Sequence, residues 1–237
     1  MAESLEDGSS LYLMGQPEAS TKRPLVGLGM PSPEYVPAAQ SFAWGCLHGY
    51  TKTAEIVPII MMGQDPAHAR NQMAAAFLEK ACEAVLFVDC DMLFPPNALD
   101  RLLAHDLDIV GADYRRRAAP YGKIGWPLKD VPEPESGLVE RVALGLGLLL
   151  IRRRVFDGLS QPWFARIYSG ETEANKGCMT EDYFFCLKAR EAGFKVWCDL
   201  DLTRETMHLG MQPVPWIIPG HVDQPAPLPE AVSSEAA

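Results

Sequence analysis

Two aspartates, Asp89 and Asp91, directly follow the short apolar run Ala84–Val88. Carboxylates that leave the same buried strand can share a hard divalent cation, which prefers oxygen ligands. A cation at this position would bridge phosphate oxygens of a nucleoside diphosphate and neutralise the charge on that leaving group. The motif therefore predicts a metal site at a strand end. The alternative interpretation is that both acids simply face water in a loop.

A second chemistry uses the same spacing of acids. Phosphohydrolases of the haloacid-dehalogenase type place two aspartates after an apolar strand, with Thr or Val at the fifth position, and the first aspartate acts as the nucleophile. Here the fifth position is Leu93, and two predicted β–α units precede the motif. A phosphohydrolase is therefore the less favoured of the two enzyme classes.

A second acidic pair, Glu181 and Asp182, follows Thr180 at the predicted start of a helix. A carboxylate that faces a sugar acceptor would remove the proton from its hydroxyl. Helix capping by Thr180 and the helix dipole explain these acids equally well. The polar, Gly-containing segment Ser169–Gly177 predicts a mobile loop, and His208 would supply a third metal ligand. The other histidines are interpreted as surface or core residues: His48, His68, His105 and His221.

The elements that must position these residues alternate between strand and helix. The fully apolar run before the aspartates is typical of a strand covered by helices on both faces. The alternation predicts an α/β fold with a mostly parallel central sheet flanked by helices, and ligands at the carboxyl ends of the strands. The predicted strands are Pro24–Met30, Glu55–Met62, Ala84–Val88, Asp108–Ala112, Val139–Ile151 and Lys195–Cys198, and the predicted helices are Tyr35–Tyr50, Asp65–Ala84, one opened by Pro95 and Pro96, and Thr180–Ala192.

Length and composition favour one globular domain with tails. The chain has 237 residues, of which 48% are hydrophobic, enough for a sizeable core. Residues 1–22 and the Pro-rich residues 220–237 are predicted to be disordered tails around a domain at 23–219. No run of about 18 apolar residues predicts a membrane span, and the acidic N-terminus is unlike a secretory signal. Six cysteines without a C-x-x-C pair favour reduced thiols and a cytoplasmic location.

Seven segments, taken in order, carry a family resemblance. They are PLVGLGMPSP, Ala69-Arg70-Asn71, LFVDCDMLFPPNAL, DIVGADYRRR, LGLGLLLIRRRVF, PWF and TEDYFFCLKAREAGFKVWCDLDLTRETMHLG. The chain resembles glycosyltransferases of the GT-A type, nearest to the family 2-like enzymes common in bacteria and phages. The resemblance covers residues 24–212 and implies a single GT-A domain with a Rossmann-like sheet.

The resemblance also implies a metal-dependent enzyme that takes a sugar from a nucleotide-diphosphate sugar. Mn²⁺ or Mg²⁺ would be held by Asp89, Asp91 and His208. Asp182 would be the catalytic base of an inverting enzyme, with Glu181 positioning the acceptor. Some retaining enzymes share the histidine, so the stereochemical outcome stays open. The residues expected to contact the donor are Pro31, Arg70, Asn71, Asp89 and Arg115.

The acceptor is predicted only by class. Gly145 and Gly147 would let a strand approach the sugar closely, and Trp163 would either stack on a sugar ring or lie in the core. The arginines 115–117 would bind phosphate of the donor or of a phosphate-bearing acceptor. Other basic residues would extend this patch: Arg152, Arg153, Arg154, Lys123 and Lys129.

Two acceptor classes and three function classes follow from these features. A saccharide or small molecule is the favoured acceptor, because the net charge of −10 disfavours nucleic acid. A hydroxymethylated base in phage DNA, flipped out of the duplex, is the second, and a phage-encoded enzyme would then act in the host cytoplasm. Beside the transferase and the phosphohydrolase stands a non-catalytic nucleotide-sugar-binding module.

Overall fold

An eight-stranded sheet with helices on both faces organises the chain. The computed structural model describes residues 23–168 and 178–210, together with the backbone of three two-residue strands. The predicted tails, 1–22 and 220–237, and the predicted mobile loop, Ser169–Gly177, lie mostly or wholly outside the described residues.

The strands and helices have the following bounds. The strands are β1 (Glu3–Ser4), β2 (Ser10–Leu11), β3 (Leu25–Ser32), β4 (Glu55–Met62), β5 (Ala84–Val88), β6 (Met92–Leu93), β7 (Ile109–Gly111), β8 (Trp126–Pro127), β9 (Leu138–Ala143), β10 (Leu148–Arg152), β11 (Ile167–Tyr168), β12 (Cys178–Met179), β13 (Val196–Asp199), β14 (Met207–Leu209) and β15 (Pro213–Val214). The helices are α1 (Ala38–Tyr50), α2 (Pro66–Glu79), α3 (Ala98–Ala104), α4 (Arg153–Asp157), α5 (Glu181–Glu191) and α6 (Leu200–Glu205).

The main sheet is mixed rather than mostly parallel, which corrects the prediction. Its strand order is β4-β3-β5-β10-β7-β13-β9-β8. The pairs β3–β4, β3–β5 and β7–β13 are parallel, whereas β10 is antiparallel to both of its neighbours and β9 is antiparallel to β13 and β8. The apolar run 139–151 divides into β9 and β10, which do not pair with each other, because β7 and β13 lie between them and run in the opposite direction.

The helices begin and end where local chemistry directs them, with some corrections. Asp65 caps α2 as predicted, because its carboxylate accepts from the backbone N of Ala67 at 3.0 Å, and Pro66 follows at the first helical position. Helix α3 begins at Ala98 rather than at the two prolines. Helix α6 was not predicted, and its N-terminus is capped by Asp199, which accepts from Leu202 N at 2.8 Å.

Two apolar clusters cover the two faces of the sheet. On one face, Met73 and Phe77 of α2 meet Phe185 of α5, and on the other face Leu47 of α1 meets Leu99 of α3. Every residue of β5 is buried, and its side chains alternate between the two clusters. The prediction of a strand covered on both faces is therefore confirmed. None of the helices in the described part of the chain has the length and hydropathy to cross a bilayer.

A second, small sheet carries the histidine to the aspartates. Its strand order is β15-β14-β6, and β6 begins directly after Asp91. The pairing places His208 opposite Met92 and Met207 opposite Leu93. The backbone N of Leu209 also donates to the carbonyl oxygen of Asp91 at 2.6 Å. Strand pairing thus joins two segments that lie far apart in the sequence.

Candidate functional site

A cleft opens where β3 and β5 end, at the carboxyl edge of the parallel strands. It consists of two adjoining pockets of about 540 and 350 Å³, which share Pro33, Cys90 and Asp91. The larger pocket is also lined by Tyr35, Pro37, Arg117, Leu209 and Gly210. The smaller one is also lined by Pro31, Ser32, Gly63, Gln64, Pro66, Arg70, Asp89 and Glu181. Both predicted metal-binding aspartates therefore lie on one cleft.

Asp91 and His208 form a contact in this cleft. Oδ2 of Asp91 lies 3.1 Å from Nε2 of His208. On the other side of the imidazole, Nδ1 lies 2.9 Å from the carbonyl oxygen of Arg115. Because a carbonyl oxygen only accepts, Nδ1 carries a proton, and the orientation of Nε2 toward Asp91 is thereby fixed.

The charges of this pair influence each other. Burial would lower the pKa of His208, but its hydrogen bond to Asp91 and the negative charge there raise the pKa above its ordinary value. Burial would likewise raise the pKa of Asp91, and the hydrogen bond from His208 and the charge of Arg117 hold it below its ordinary value. In the ligand-free protein each partner of this pair therefore favours the charged form of the other.

Asp89 belongs to a different network, centred on a buried arginine. Arg70, only 3% exposed, donates from Nη2 to Oδ1 of Asp89 at 2.5 Å and from Nη1 to Oε1 of Glu181. Glu181 also accepts from Nε of Arg166 at 3.1 Å, and Arg166 reaches Asp65 at 3.2 Å. Burial raises the pKa of Asp89, and the charge of Arg70 opposes that rise. Acids and arginines alternate along this wall of the cleft.

Asp182 lies behind Glu181, and its surroundings make it a stronger base than a free aspartate. Burial raises the pKa of Asp182 to about 6, although the hydrogen bond from the Thr180 hydroxyl opposes the rise. The backbone N of Tyr183 donates to the same carboxylate at 2.9 Å. Thr180 is the N-cap residue of α5, as predicted, but its side chain makes no cap hydrogen bond to the helix backbone and donates to the Asp182 carboxylate instead.

Asn71 does not face the cleft, which corrects its predicted role in donor binding. Its side-chain nitrogen donates to the carbonyl oxygens of Ala67 and Phe164 at 2.8 and 2.7 Å. Its side-chain oxygen accepts from the backbone N of Trp163 and of Phe164 at 2.9 and 3.2 Å. The amide therefore fastens the 163–164 segment to α2.

Trp163 is a core residue, so its alternative role in sugar stacking is excluded for this arrangement. The side chain is buried, and its indole N–H donates to the carbonyl oxygens of Phe156 and Leu159 at 3.1 and 3.2 Å. The two glycines expected to admit a sugar instead admit Tyr114. A Cβ atom on Gly147 would lie 2.6 Å from the phenol ring carbon Cζ, and Gly145 has the same neighbour.

Two further residues were predicted to contact the donor: Pro31 lines the cleft, whereas the side chain of Arg115 is buried. Pro31 lines the cleft but belongs to β3, which runs through Ser32 rather than ending before Pro31. Arg115 is buried, and its Nη1 donates to the carbonyl oxygen of Tyr121 at 3.0 Å. Its backbone carbonyl oxygen connects it to the cleft by contacting Nδ1 of His208 at 2.9 Å. Its neighbour Arg117 reaches Asp91 at 2.6 Å.

The predicted continuous basic patch does not form. The register of β10 places Leu148 opposite Val88, beside the cleft, and Arg152 opposite Ala84, at the far end of the strand. At that far end the arginines 152–154 meet acids: Asp106, Asp157 and Asp108. These three arginines and those at 115–117 therefore lie at opposite ends of the sheet.

The six cysteines are all free, as predicted. Cys90 lies between the two aspartates, and burial together with the negative charges of Asp91 and Asp89 raises the pKa of its thiol to about 11. A thiol with that pKa stays protonated near neutral pH and is a poor nucleophile. The interpretation of the other histidines also holds where it is described: His48 and His68 are exposed, and His105 contacts Asp199 at 3.0 Å.

Comparison with known proteins bears on the architecture. No protein-family model and no curated protein matches the sequence. Among solved structures, the crystal structure of A197 from STIV is similar, with a TM-score of 0.54 and 18% sequence identity, over 78% of this chain and 85% of that chain. That likeness shows the fold alone. A mixed α/β domain is therefore established, and the finer GT-A assignment stays a prediction.

The side chains in the cleft fit a divalent cation in part. Within residues 23–168 and 178–210, no three His, Cys, Asp or Glu side chains converge into a complete metal site. Asp91 and His208 do converge, and a histidine whose second nitrogen is held by a carbonyl is the usual arrangement of a metal ligand. Asp89 is already ion-paired with Arg70, and it would face the cation from one side of the cleft. The residues thus fit a cation that takes its remaining ligands from water and substrate.

Three residues of the site were missed or misplaced by sequence reasoning. Tyr114 is buried, packs edge-on to His208 with ring centroids 5.3 Å apart, and accepts from Gly147 N at 3.0 Å. Arg166 completes the alternating charges beside Glu181, and Arg117 is the arginine whose side chain reaches Asp91. The available signal was the run Asp-Tyr-Arg-Arg-Arg after a strand end, whose individual members the sequence does not distinguish.

Proposed function

We propose that the protein is a glycosyltransferase that moves a sugar from a nucleotide-diphosphate sugar to an acceptor hydroxyl, with Mn²⁺ or Mg²⁺ as its cofactor. The observation that carries this proposal is the 3.1 Å approach of Asp91 Oδ2 to His208 Nε2 on a cleft at the strand ends. A carboxylate and an oriented imidazole are the ligands by which a protein holds such a cation beside phosphate oxygens.

The donor side of the cleft suits a nucleoside diphosphate. A bound divalent cation would supply positive charge to the diphosphate leaving group. Asp91 and His208 would hold that cation, and Asp89, fixed by its ion pair with Arg70, would face it from the neighbouring wall. The larger pocket, about 540 Å³, is also lined by Pro33 and Tyr35 and has room for a nucleoside.

Asp182 supplies the base for the acceptor. Its pKa of about 6 leaves it ionised near neutral pH and makes it a stronger proton acceptor than an exposed aspartate. In the proposed step, the acceptor oxygen forms a bond to the anomeric carbon while the bond from that carbon to the diphosphate oxygen breaks. The hydroxyl proton passes to the Asp182 carboxylate, and the nucleoside diphosphate leaves with the electron pair. Glu181 holds Arg70 and Arg166 rather than contacting the acceptor.

A saccharide or small-molecule acceptor is better supported than DNA. A DNA duplex needs a continuous positive surface around the cleft. The arginines that would form it lie at opposite ends of the sheet, and those at 152–154 face acids. The phosphohydrolase alternative is disfavoured by Asp89, because one oxygen of this would-be nucleophile is bound to the buried Arg70.

Thermal unfolding in the presence of ligands tests the proposal. We expect one of UDP-, GDP- or dTDP-linked sugars to raise the melting temperature, and Mn²⁺ to be required for that rise. A donor that binds should also release nucleoside diphosphate slowly when water replaces the acceptor. Hydrolysis of p-nitrophenyl phosphate, without any effect of nucleotide sugars, would instead identify a phosphohydrolase. Donor binding without any release of nucleoside diphosphate would identify a non-catalytic binding module.

A further inference from the structure

Arg117 projects from a loop that is itself well braced. The segment 115–123 folds back on itself: Arg115 forms an antiparallel bridge with Lys123, and Arg116 N donates to the carbonyl oxygen of Gly122 at 3.0 Å. The buried guanidinium of Arg115 also donates to Tyr121 within this loop. In contrast, the side chain of Arg117 is 64% exposed and extends out of the loop to Asp91. The backbone of the loop is thus held by its own hydrogen bonds, and the side chain of Arg117 projects from it.

The target of Arg117 is the same carboxylate oxygen that His208 contacts. Nη1 of Arg117 lies 2.6 Å from Oδ2 of Asp91, and Nε2 of His208 lies 3.1 Å from that oxygen. One oxygen of Asp91 therefore already has two side-chain partners in the ligand-free protein, one of which is a guanidinium. A divalent cation that approached this oxygen would meet the guanidinium within a few ångströms, and like charges at that distance repel.

The ion pair of Arg117 contributes little to holding the fold. Pairs between a carboxylate and a largely exposed arginine typically stabilise a protein only weakly, because solvent screens them and the long side chain loses freedom. Arg117 also lines the larger pocket together with Asp91. A guanidinium that is exposed, attached to a rigid loop and adjacent to the proposed diphosphate position has both the freedom and the chemistry to bind phosphate.

We infer that Arg117 is an exchangeable counterion, which neutralises Asp91 in the ligand-free protein and transfers to the donor diphosphate when the cation and donor bind. This inference rests on the proposed function, since it assumes a cation at Asp91 and a diphosphate beside it. The inference adds a competition between the guanidinium and the cation for Asp91. The guanidinium opposes binding of the cation alone, and it favours binding of the cation together with the donor. The cation and the donor therefore bind to the cleft cooperatively.

Binding of Mn²⁺ to the ligand-free protein tests the first half of this exchange. The measurement is the free Mn²⁺ signal in electron paramagnetic resonance, for the wild type, Arg117→Ala and Arg116→Ala. Arg116 is the matched control because it is an exposed arginine of the same loop whose charge acts on Tyr183. We expect Arg117→Ala to bind Mn²⁺ roughly three- to tenfold more tightly, from the removed repulsion, and Arg116→Ala to bind like the wild type.

Binding of UDP, GDP and dTDP in saturating Mn²⁺, followed by calorimetry, tests the second half. We expect Arg117→Ala to bind the preferred nucleotide about tenfold more weakly, because a charge-assisted hydrogen bond to phosphate is lost. Opposite changes in the two affinities support the exchange. Unchanged or weaker Mn²⁺ binding by Arg117→Ala overturns it, and so does unchanged nucleotide binding. If the wild type and both variants bind neither Mn²⁺ nor nucleotide, the proposed function itself fails.

Discussion

The guanidinium of Arg70 joins Asp89 to Glu181, so that one buried side chain connects the end of β5 with the start of α5. Arg70 comes from α2, Asp89 follows β5, and Glu181 begins α5. A single charged group therefore links three elements of the fold. Asp182, the proposed base, is the residue that follows Glu181.

Replacing Arg70 by Met tests this connection. Removal of the arginine leaves Asp89 near Glu181 without its own cationic partner, and breaking a buried pair in this way costs about 3–5 kcal/mol of the free energy of unfolding. Urea unfolding measures the loss. Arg166→Met is the control, because Arg166 is more exposed and its pairs are worth about 1 kcal/mol or less. Equal losses in the two variants would contradict a special role for Arg70.

Asp182→Asn should abolish transfer and preserve donor binding. A general base typically contributes about 10²- to 10⁴-fold to the rate, whereas the diphosphate is held elsewhere in the cleft. Transfer rates and calorimetric donor affinities separate the two effects. A variant that turns over at the normal rate would exclude Asp182 as the base.

The pH dependence of the proposed transfer by the wild-type protein is a further test of Asp182. Only the ionised carboxylate accepts the acceptor proton, and its pKa is raised to about 6. The rate should therefore be constant at higher pH and fall as the pH decreases through about 6. The same raised pKa makes Asp182 stabilise the fold most at low pH, with that contribution lost as the pH rises through about 6. A rate that stays constant down to about pH 4.5, well below that pKa, would assign the proton transfer to another group.

His208→Ala should remove the dependence of donor binding on the cation. The variant loses a ligand whose orientation is fixed by the Arg115 carbonyl, and a loss of about 10- to 100-fold in metal affinity is typical even of the groups that support such ligands. Titration with Mn²⁺ measures this affinity. His68→Ala is the control, since His68 is exposed on α2 and contacts Gln72. Asp91→Ala should reproduce the effect of His208→Ala.

Tyr114→Phe tests the hydrogen bonds that connect Tyr114 through Gly147 to Asp89. The phenol oxygen accepts from Gly147 N, and the carbonyl oxygen of Gly147 accepts from Asp89 N at 3.2 Å. The variant leaves a buried N–H without its partner, which costs about 1–3 kcal/mol of the free energy of unfolding. It should also weaken donor binding, because Asp89 is attached to the same glycine. Tyr121→Phe, a change at a more exposed phenol, should leave both quantities unaltered.

The position of the two aspartates at the edge of the sheet is predictable from the sequence, because it depends on one strand only. The apolar run before Asp89 predicts a buried strand, and the acids follow at its carboxyl end whatever the rest of the chain does. The direction of β10 was not predictable in the same way, because a strand that is buried on both faces has no alternation that records its orientation or its neighbours.

Side-chain direction on α2 explains the error at Asn71. Arg70 and Asn71 are consecutive, and consecutive residues of a helix point about 100° apart. Only one of them can face the cleft, and the sequence does not say which. Arg70 faces the carboxylates, whereas Asn71 faces the 163–164 segment. The contact between Asp91 and His208 likewise depends on the pairing of β6 with β14, which joins distant segments and leaves no local signal.

Strand β14 lies outside the eight-stranded sheet, and this separates the main sheet from part of the proposed cation site along the chain. A polypeptide cut after Glu205 would keep all eight strands of the main sheet but lose the imidazole that faces Asp91. Proteolysis between α6 and β14 would thus leave the main sheet in place and remove one ligand of the proposed cation. The amount of folded protein and its capacity to bind the proposed cation would then diverge in any sample exposed to proteases.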